Sequence, residues 1–211
     1  MSPGMNVLEI GCAPGKILAW AAIALKVRVS GLDYSESGIN ISKELLLKLG
    51  ISGDLRCEDV FETSFAEGCF DCVYSLGVIE HFSNPEELVR IHFNLLKPGG
   101  KALVIIPNYG GIYGRMQKYF DPENLALHNL EIMSPAALKK LLPQGLVENV
   151  RGYPSGRFSL MLILDKKLPI WLARSLTFCL SVIGHLQPCV LPALCPLLVL
   201  EFSKPGKRLS E

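Results

Sequence analysis

The chain has 211 residues, enough for one globular domain with a well-filled core. Lys and Arg total 21 against 20 Asp and Glu, a formal net charge of +1. No overall field draws such a chain to a polyanion, so non-specific nucleic-acid binding is not expected. The seven cysteines (Cys12, Cys57, Cys69, Cys72, Cys179, Cys189, Cys195) are odd in number and follow no signal-peptide pattern, and they read as reduced thiols of a cytoplasmic protein.

Met5 to Ile10 is a short apolar strand, followed by Gly11-Cys12-Ala13-Pro14-Gly15. Lys16 to Leu25, rich in Ala, Leu and Ile, reads as a helix. Val27 to Leu32 is a β-branched strand that ends at Asp33. Ser35 to Leu49 reads as a second helix, with Ser35 as its N-cap and Gly50 as its stop. Gly53 to Cys57 is a third strand, ending at Glu58-Asp59, and Phe70 to Ser75 a fourth. Cys69 and Cys72 form a lone C-x-x-C with no second pair, and Cys72 sits in the apolar run Phe70–Tyr74. A buried strand is therefore expected there, and no metal site. Pro85 to Leu96 is an amphipathic helix closed by Pro98-Gly99-Gly100, and Lys101 to Ile106 is a fifth strand.

Strands that are nearly continuous apolar runs, alternating with helices, predict an α/β, doubly wound, mostly parallel sheet with helices on both faces. Ligands in such sheets bind beyond the carboxyl ends of the strands. Residues 108–130 form a long polar and aromatic segment with three glycines, a length that is usually functional or locally ordered. A short helix from Ser134 to Leu142, a sixth strand over 146–153 and a last strand over 197–203 complete the pattern.

The hydrophobic content of 49% and mean hydropathy of +0.32 are high, and the excess lies in Leu168–Leu200. Pro169, Pro188, Pro192 and Pro196 cut this stretch to the low limit of a membrane span. The expectation is an apolar helical insertion over 157–195. It faces a membrane surface or lipid substrate, or else packs on the sheet or a second subunit as a homodimer contact.

The glycines after the first strand permit a tight turn and close approach of backbone to a ligand, and the helix start behind them favours a carboxylate. Asp33 is placed to accept from ribose hydroxyls, and Asp59 from an adenine amino group. These residues by themselves fit NAD as well as other adenosine ligands.

The run Val7-Leu8-Glu9-Ile10-Gly11-Cys12-Ala13-Pro14-Gly15 resembles the first motif, E/D-x-G-x-G-x-G, of class I S-adenosylmethionine-dependent methyltransferases. Glu9, Gly11 and Gly15 match it, and Ala13 stands where the central glycine is expected. Gly31–Ser35 resembles the second acidic motif, and Glu58-Asp59-Val60 the adenine-binding one. Phe70 to Phe82 resembles the fourth-strand motif of the type 11/12 methyltransferases similar to those of ubiquinone and menaquinone synthesis. Leu95–Gly100 matches the turn before the fifth strand.

The resemblance implies a Rossmann-like, seven-stranded sheet whose last strand is antiparallel. It also implies S-adenosylmethionine as cofactor and S-adenosylhomocysteine as product. One domain over 1–211 would comprise a cofactor-binding half (5–107), an acceptor or cap segment (108–145) and the insertion. Glu9, Gly11, Cys12, Ala13 and Gly15 would hold the amino-acid part of the cofactor. Asp33 and Tyr34 would hold the ribose, Asp59 and Val60 the adenine, and Ser75 and Leu76 would line the methionine end, although packing explains the last two as well.

A sulfonium methyl needs an aligned nucleophile more than a metal. His81 and His128 are the candidate bases for a hydroxyl acceptor. The resemblance also implies that the Glu80-His81 pair aids substrate or metal binding, as in some relatives; capping of a loop by Glu80-His81 and a solvated His128 are the alternatives. Tyr109, Tyr113 and Tyr119 line the acceptor pocket or pack the segment. The Asn/Asp-Pro-Pro-aromatic motif of nucleic-acid amino-methylating enzymes is replaced by Ser75-Leu76-Gly77-Val78, so a small-molecule or lipid- and quinone-like acceptor is expected. The rival reading is a non-catalytic S-adenosylmethionine-binding protein. The chain begins four residues before its first strand, where relatives usually carry covering helices. An open site is thus expected, with cofactor binding and reduced turnover unless another segment closes it.

Overall fold

Val7, Leu8 and Ile10 have almost no exposed surface, and they set β1 (Asn6–Ile10) at the centre of the molecule. Neighbouring side chains of a strand point to opposite faces, so Val7 joins one apolar cluster and Leu8 the other. A strand buried on both faces needs a layer of helices on each side. The computed structural model, which describes residues 1–156 and 192–206, has that arrangement.

β2 (Arg28–Asp33) and β4 (Phe70–Leu76) flank β1 in parallel. β3 (Gly53–Cys57) extends the sheet beyond β2, and β5 (Leu96–Pro107) beyond β4. β7 (Leu197–Ser203) pairs antiparallel with β5, and β6 (Glu148–Ser155) closes the edge against β7. The order is β3-β2-β1-β4-β5-β7-β6, the Rossmann-like sheet expected. The strand order switches sides between the parallel β1 and β4, so their carboxyl ends open a crevice.

On one face, α1 (Lys16–Leu25) and α2 (Glu36–Lys48) bury Leu18, Ile39 and Leu46 against Val7, Val29 and Leu55. The Ser35 hydroxyl accepts from the Gly38 amide and caps α2 as expected. On the other face, α3 (Pro85–Leu95) sets Leu88 and Leu95 among Leu8, Val73, Val104 and Phe202. His92 of α3 is fully buried there. Its Nδ1 donates to the Leu88 carbonyl at 2.7 Å, which leaves Nε2 to accept from the Ser75 hydroxyl at 3.0 Å. Burial pushes this imidazole down to about 4, so it is neutral and pins α3 to β4.

Three boundaries differ from the sequence reading. β5 begins at Leu96, not Lys101. Leu96 already pairs with Phe70, and Pro98-Gly99-Gly100 forms an irregularity before Lys101 pairs with Cys72. The 108–130 segment is helical, with α4 (Ile112–Phe120) and α5 (Pro122–Ala126) joined at Asp121. Its glycines answer to packing, because a Cβ on Gly114 would lie 1.9 Å from the Tyr109 carbonyl oxygen and one on Gly110 2.2 Å from that of Met133. β6 runs over Glu148–Ser155, shifted two residues by an irregularity that includes Asn149 with φ 55°. α6 (Pro135–Lys140) starts at a Ser134 cap, as read.

Cys72 is buried within β4 and Cys69 is exposed, each with a free thiol. Cys179, Cys189 and most of the 157–195 insertion lie outside the described residues; Pro192–Leu194 forms a 3-10 turn. Among the described residues, no helix is long and apolar enough to cross a membrane.

Gly31 lies where α1 meets the sheet. A Cβ there would sit 2.6 Å from Cys12 Sγ, 2.7 Å from Leu55 Cδ2 and 2.8 Å from Leu18 Cδ1. Gly31→Ala is expected to destabilise the fold by about 1–3 kcal/mol through overpacking. Urea unfolding at equilibrium measures this, and a variant as stable as wild type would show that the layer yields freely.

Candidate active site

The carboxyl ends of β1, β2, β3 and β4 surround a cavity of about 660 Å³, within the roughly 300–1,000 Å³ range of small-ligand pockets. Its floor is the turn after β1. Gly11 has φ 73°, and a Cβ on it would lie 2.5 Å from Val78 Cγ2, so a side chain is excluded there. Gly15, with φ 81°, starts α1 against Ser42. Ala13 is not in the left-handed region, so its methyl group costs no backbone strain. That methyl occupies space opened by Gly38, whose own Cβ would be 2.6 Å from it.

Asp33 organises one wall. Its Oδ2 accepts from the Ala13 amide at 3.0 Å and its Oδ1 from the Ser35 amide at 2.9 Å. Tyr34 beside it is 86% exposed, so its ring is available to a ligand at the mouth. Asp59 accepts from the Phe61 amide at 2.9 Å and starts the 3-10 turn that brings Val60 to the cavity. Leu76, Gly77, Val78, His81 and Phe82 make the opposite wall. Phe82 meets Phe61 edge-on at 5.5 Å.

Five predicted site residues do not line this cavity: Glu9, Cys12, Gly15, Ser75 and His128. Glu9 is 3% exposed and lies under the turn, accepting from the Tyr74 hydroxyl at 3.0 Å. Burial is the main cause that pushes its carboxyl up to about 7, against the opposing Tyr74 hydrogen bond. Cys12 points into the core, where burial pushes its thiol up to about 12. Gly15 sits behind the turn. Ser75 is fully buried on the α3 face, its hydroxyl given to His92, so its side chain serves packing. Strand alternation explains the split: Leu76, one residue on, takes the cavity side.

Glu58 lines the cavity but was not singled out in the sequence; its place directly after β3 was the available signal. Its carboxylate is held by the Ser64 hydroxyl, the Ser64 amide and Thr63. The Ser64 hydrogen bond leads the causes that hold its pKa below the ordinary carboxylate value.

His81 and His128 are brought together, with ring centroids 4.6 Å apart. Their Nδ1 atoms face the carbonyls of Leu127 (3.2 Å) and Asn124 (2.8 Å). Tyr109 meets His128 edge-on at 5.1 Å, while Tyr113 is fully buried with its hydroxyl donating to the Leu194 carbonyl and Tyr119 is 81% exposed. Glu80 is 1% exposed, and neither carboxylate oxygen has a hydrogen-bond partner among the described residues. Burial raises its pKa to about 7. The cavity thus has a polar side at Asp33, Glu58 and Asp59 and, past Leu76, a largely apolar side that carries His81.

Residues 8–104 match the family model described as a methyltransferase domain. Among curated proteins, the chain is 33% identical over 104 residues to phosphoethanolamine N-methyltransferase 1 of Arabidopsis thaliana, covering 49% of this chain and 21% of that protein. It is 36% identical over 99 residues to the ubiquinone biosynthesis O-methyltransferase of Chromobacterium violaceum, covering 46% of this chain and 42% of that protein. The chain therefore matches only about a fifth to two-fifths of these relatives' length. Among solved structures, phosphoethanolamine N-methyltransferase 2 of Haemonchus contortus in complex with S-adenosyl-L-methionine superposes with a TM-score of 0.66 at 18% identity. That match covers 98% of this chain and 50% of the other.

The buried Glu9 provides a test of the turn's foundation. Its folded pKa lies above its unfolded value, so between about pH 4.5 and 7 the folded chain keeps a proton that the unfolded chain has released. Stability from this group is present at low pH and is lost as pH rises through that window. Glu9→Gln removes the effect. Between pH 4.5 and pH 8 its stability relative to wild type should improve by on the order of 1–3 kcal/mol in urea unfolding. An unchanged difference would mean that Glu9 ionises normally.

Proposed function

We propose, from the match of residues 8–104 to the methyltransferase-domain family model, that the chain binds S-adenosylmethionine and transfers its methyl group to a small-molecule acceptor. The observation that carries this reading is the position of the Asp33 carboxylate. It stands at the end of β2 on the cavity wall, already bound to the amide of Ala13 in the turn. Each carboxylate oxygen keeps further lone-pair capacity, enough to accept from two ribose hydroxyls.

The other cavity residues fit the same ligand. Gly11 offers backbone without a side chain, Asp59 and the Val60 backbone stand where adenine would lie, and Tyr34 covers the mouth. When bound, S-adenosylmethionine supplies an electrophilic methyl group on a sulfonium. The protein's share is alignment and exclusion of water. Leu76, Val78 and Phe82 give the transfer side an apolar wall, and this supports an acceptor with an apolar body, lipid- or quinone-like. His81 lines that wall, and its Nε2 is the group placed to receive a hydroxyl proton, because Nδ1 is turned to Leu127. His128 backs it. Residues 108–145 approach this side through His128, which stacks near His81, and Tyr109 behind it. The proposed contact through 168–200 with a membrane or second copy falls largely outside the described residues.

Isothermal calorimetry should show micromolar binding of S-adenosylmethionine and S-adenosylhomocysteine, and none of NAD. Asp33→Ala should weaken both by on the order of 10- to 100-fold, the loss of charge-assisted hydrogen bonds. If neither sulfur nucleotide binds, the reading is wrong. If Asp33→Ala binds as well as wild type, the ribose assignment is wrong. Radiolabelled methyl transfer across phenols, quinone precursors, lipids and amines then separates an enzyme from a binding protein.

A further inference from the structure

We infer that Glu58, Ser64 and Arg56 form a clasp that fixes the loop after β3, and that the clasp, acting through Asp59, makes the cavity select a 6-amino purine over a 6-oxo purine. For its ligand the clasp depends on the S-adenosylmethionine reading; its geometry does not. None of the three side chains needs to touch the ligand, so they are positioning residues.

The chain leaves β3 at Glu58 and re-enters the core at Phe65. The Glu58 carboxylate closes this stretch into a loop. Its Oε1 accepts from the Ser64 hydroxyl, and its Oε2 from the Ser64 amide at 2.8 Å and the Thr63 hydroxyl at 3.2 Å. A carboxylate oxygen accepts about two hydrogen bonds, so Oε2 is filled. Glu58 lies on the cavity wall, yet its polar atoms serve the loop. Asp59 and Val60 are the residues that the loop carries to the cavity. The Phe61 amide donates to Asp59 Oδ1 at 2.9 Å and the Glu62 amide to the Asp59 carbonyl at 3.1 Å. Asp59 Oδ2 is left, among the described residues, for a ligand.

Arg56 fastens the closed loop to the sheet. Its Nη1 donates to the Ser64 hydroxyl and its Nη2 to Asp54, both at 2.7 Å. The guanidinium lies 3.7 Å over the ring of Phe65, which is buried and meets Phe70 of β4 edge-on at 5.2 Å. A serine hydroxyl has one hydrogen to give and two sites to accept. Ser64 gives its hydrogen to Glu58 and accepts from Arg56, so each bond orients the next. The base of the loop is also tied to the ribose wall, because the Glu58 amide donates to the Asp33 carbonyl at 3.1 Å.

The chemistry of the purine edge makes this matter. A 6-amino group donates a hydrogen bond, and a 6-oxo group only accepts. A carboxylate held at Asp59 takes the first and repels the second. Such discrimination needs the acceptor fixed to within roughly 0.5 Å by the residues behind it. A loop free to swing would turn Asp59 to water and admit either base. Glu58 cannot replace it as the reader, since its oxygens are already bonded.

Isothermal calorimetry on the full chain compares S-adenosylhomocysteine with S-inosylhomocysteine, which has an oxygen in place of the amino group. Wild type should favour the adenine form by on the order of 10- to 100-fold, the difference made by one hydrogen bond to a charged group. Glu58→Ala opens the loop, and Ser64→Ala removes the hub hydroxyl. Each should lower that ratio by about threefold or more. Ser64→Thr keeps both the hydroxyl and the amide, and should keep the wild-type ratio. Circular dichroism melts verify the fold of each variant, and Ser64→Ala carries the test should Glu58→Ala fail to fold. A merely structural role would weaken both nucleosides by the same factor. A folded Glu58→Ala or Ser64→Ala protein with the wild-type ratio therefore overturns the clasp, and so does a wild type that binds the two nucleosides alike. Wild type that binds neither overturns the cofactor reading itself, so the two failures are told apart.

Discussion

The Asp33 carboxylate is the constraint on which the cofactor side of the molecule depends. It receives the Ala13 amide on one oxygen and the Ser35 amide on the other. The turn after β1, the end of β2 and the start of α2 therefore converge on one charge. Hydrogen bonds to a charged group contribute roughly 1.5–3 kcal/mol each, enough to fix a turn that has few side chains of its own. A structural role and a ligand-binding role for this residue are usually posed as alternatives. Here the first prepares the second, because the bonds that hold the turn also orient the carboxylate at the cavity wall.

The same turn shows how a departure from a motif is absorbed. Ala13 carries a methyl group where a glycine is expected, yet its backbone is not left-handed and its Cβ faces Gly38 across α2. The missing side chain has moved to the partner helix. Gly11 does not have this freedom, since Val78 fills the space above it and its φ is positive. Beneath the turn, Glu9 and Tyr74 satisfy one another in a region closed to water. The floor is thus rigid for reasons that do not involve a ligand, and a preorganised floor loses less entropy when a ligand arrives.

Half of this was legible in the sequence. α2 was placed to within a residue because Ser35, Gly50 and the apolar spacing between them act locally. The strands were legible because each central one is buried on both faces. α4 and α5 were not, since Gly110 and Gly114 look like loop residues until the carbonyls of Met133 and Tyr109 are seen against them. The start of β5 was hidden for a similar reason, a Pro-Gly-Gly that bends within the strand instead of preceding it. In the site, Asp33 and Asp59 stand out by their position after strands. Ser75 and Cys12 occupy equally suggestive places, but one step of alternation or turn geometry sends their side chains inward. His128 gave no local signal of its pairing with His81, because only the packing of α5 brings them together.

The two sides of the cavity differ in how completely their polar groups are satisfied. On the cofactor side Asp33, Asp59 and Glu58 all accept bonds from nearby backbone, so that side is finished without a ligand. On the other side a buried carboxylate has no partner among the described residues, and two imidazole nitrogens are turned away from their backbone anchors. Buried polar atoms in folded proteins are rarely left unmet. Among the described residues the unmet buried side-chain atoms are both Glu80 carboxylate oxygens and Gln117 Oε1, and the Glu80 turn is stitched to the segment after α5 by the Asn129–Glu80 bond. Holding them there costs stability that packing elsewhere must offset. A fold retains such an arrangement when a binding partner restores the balance.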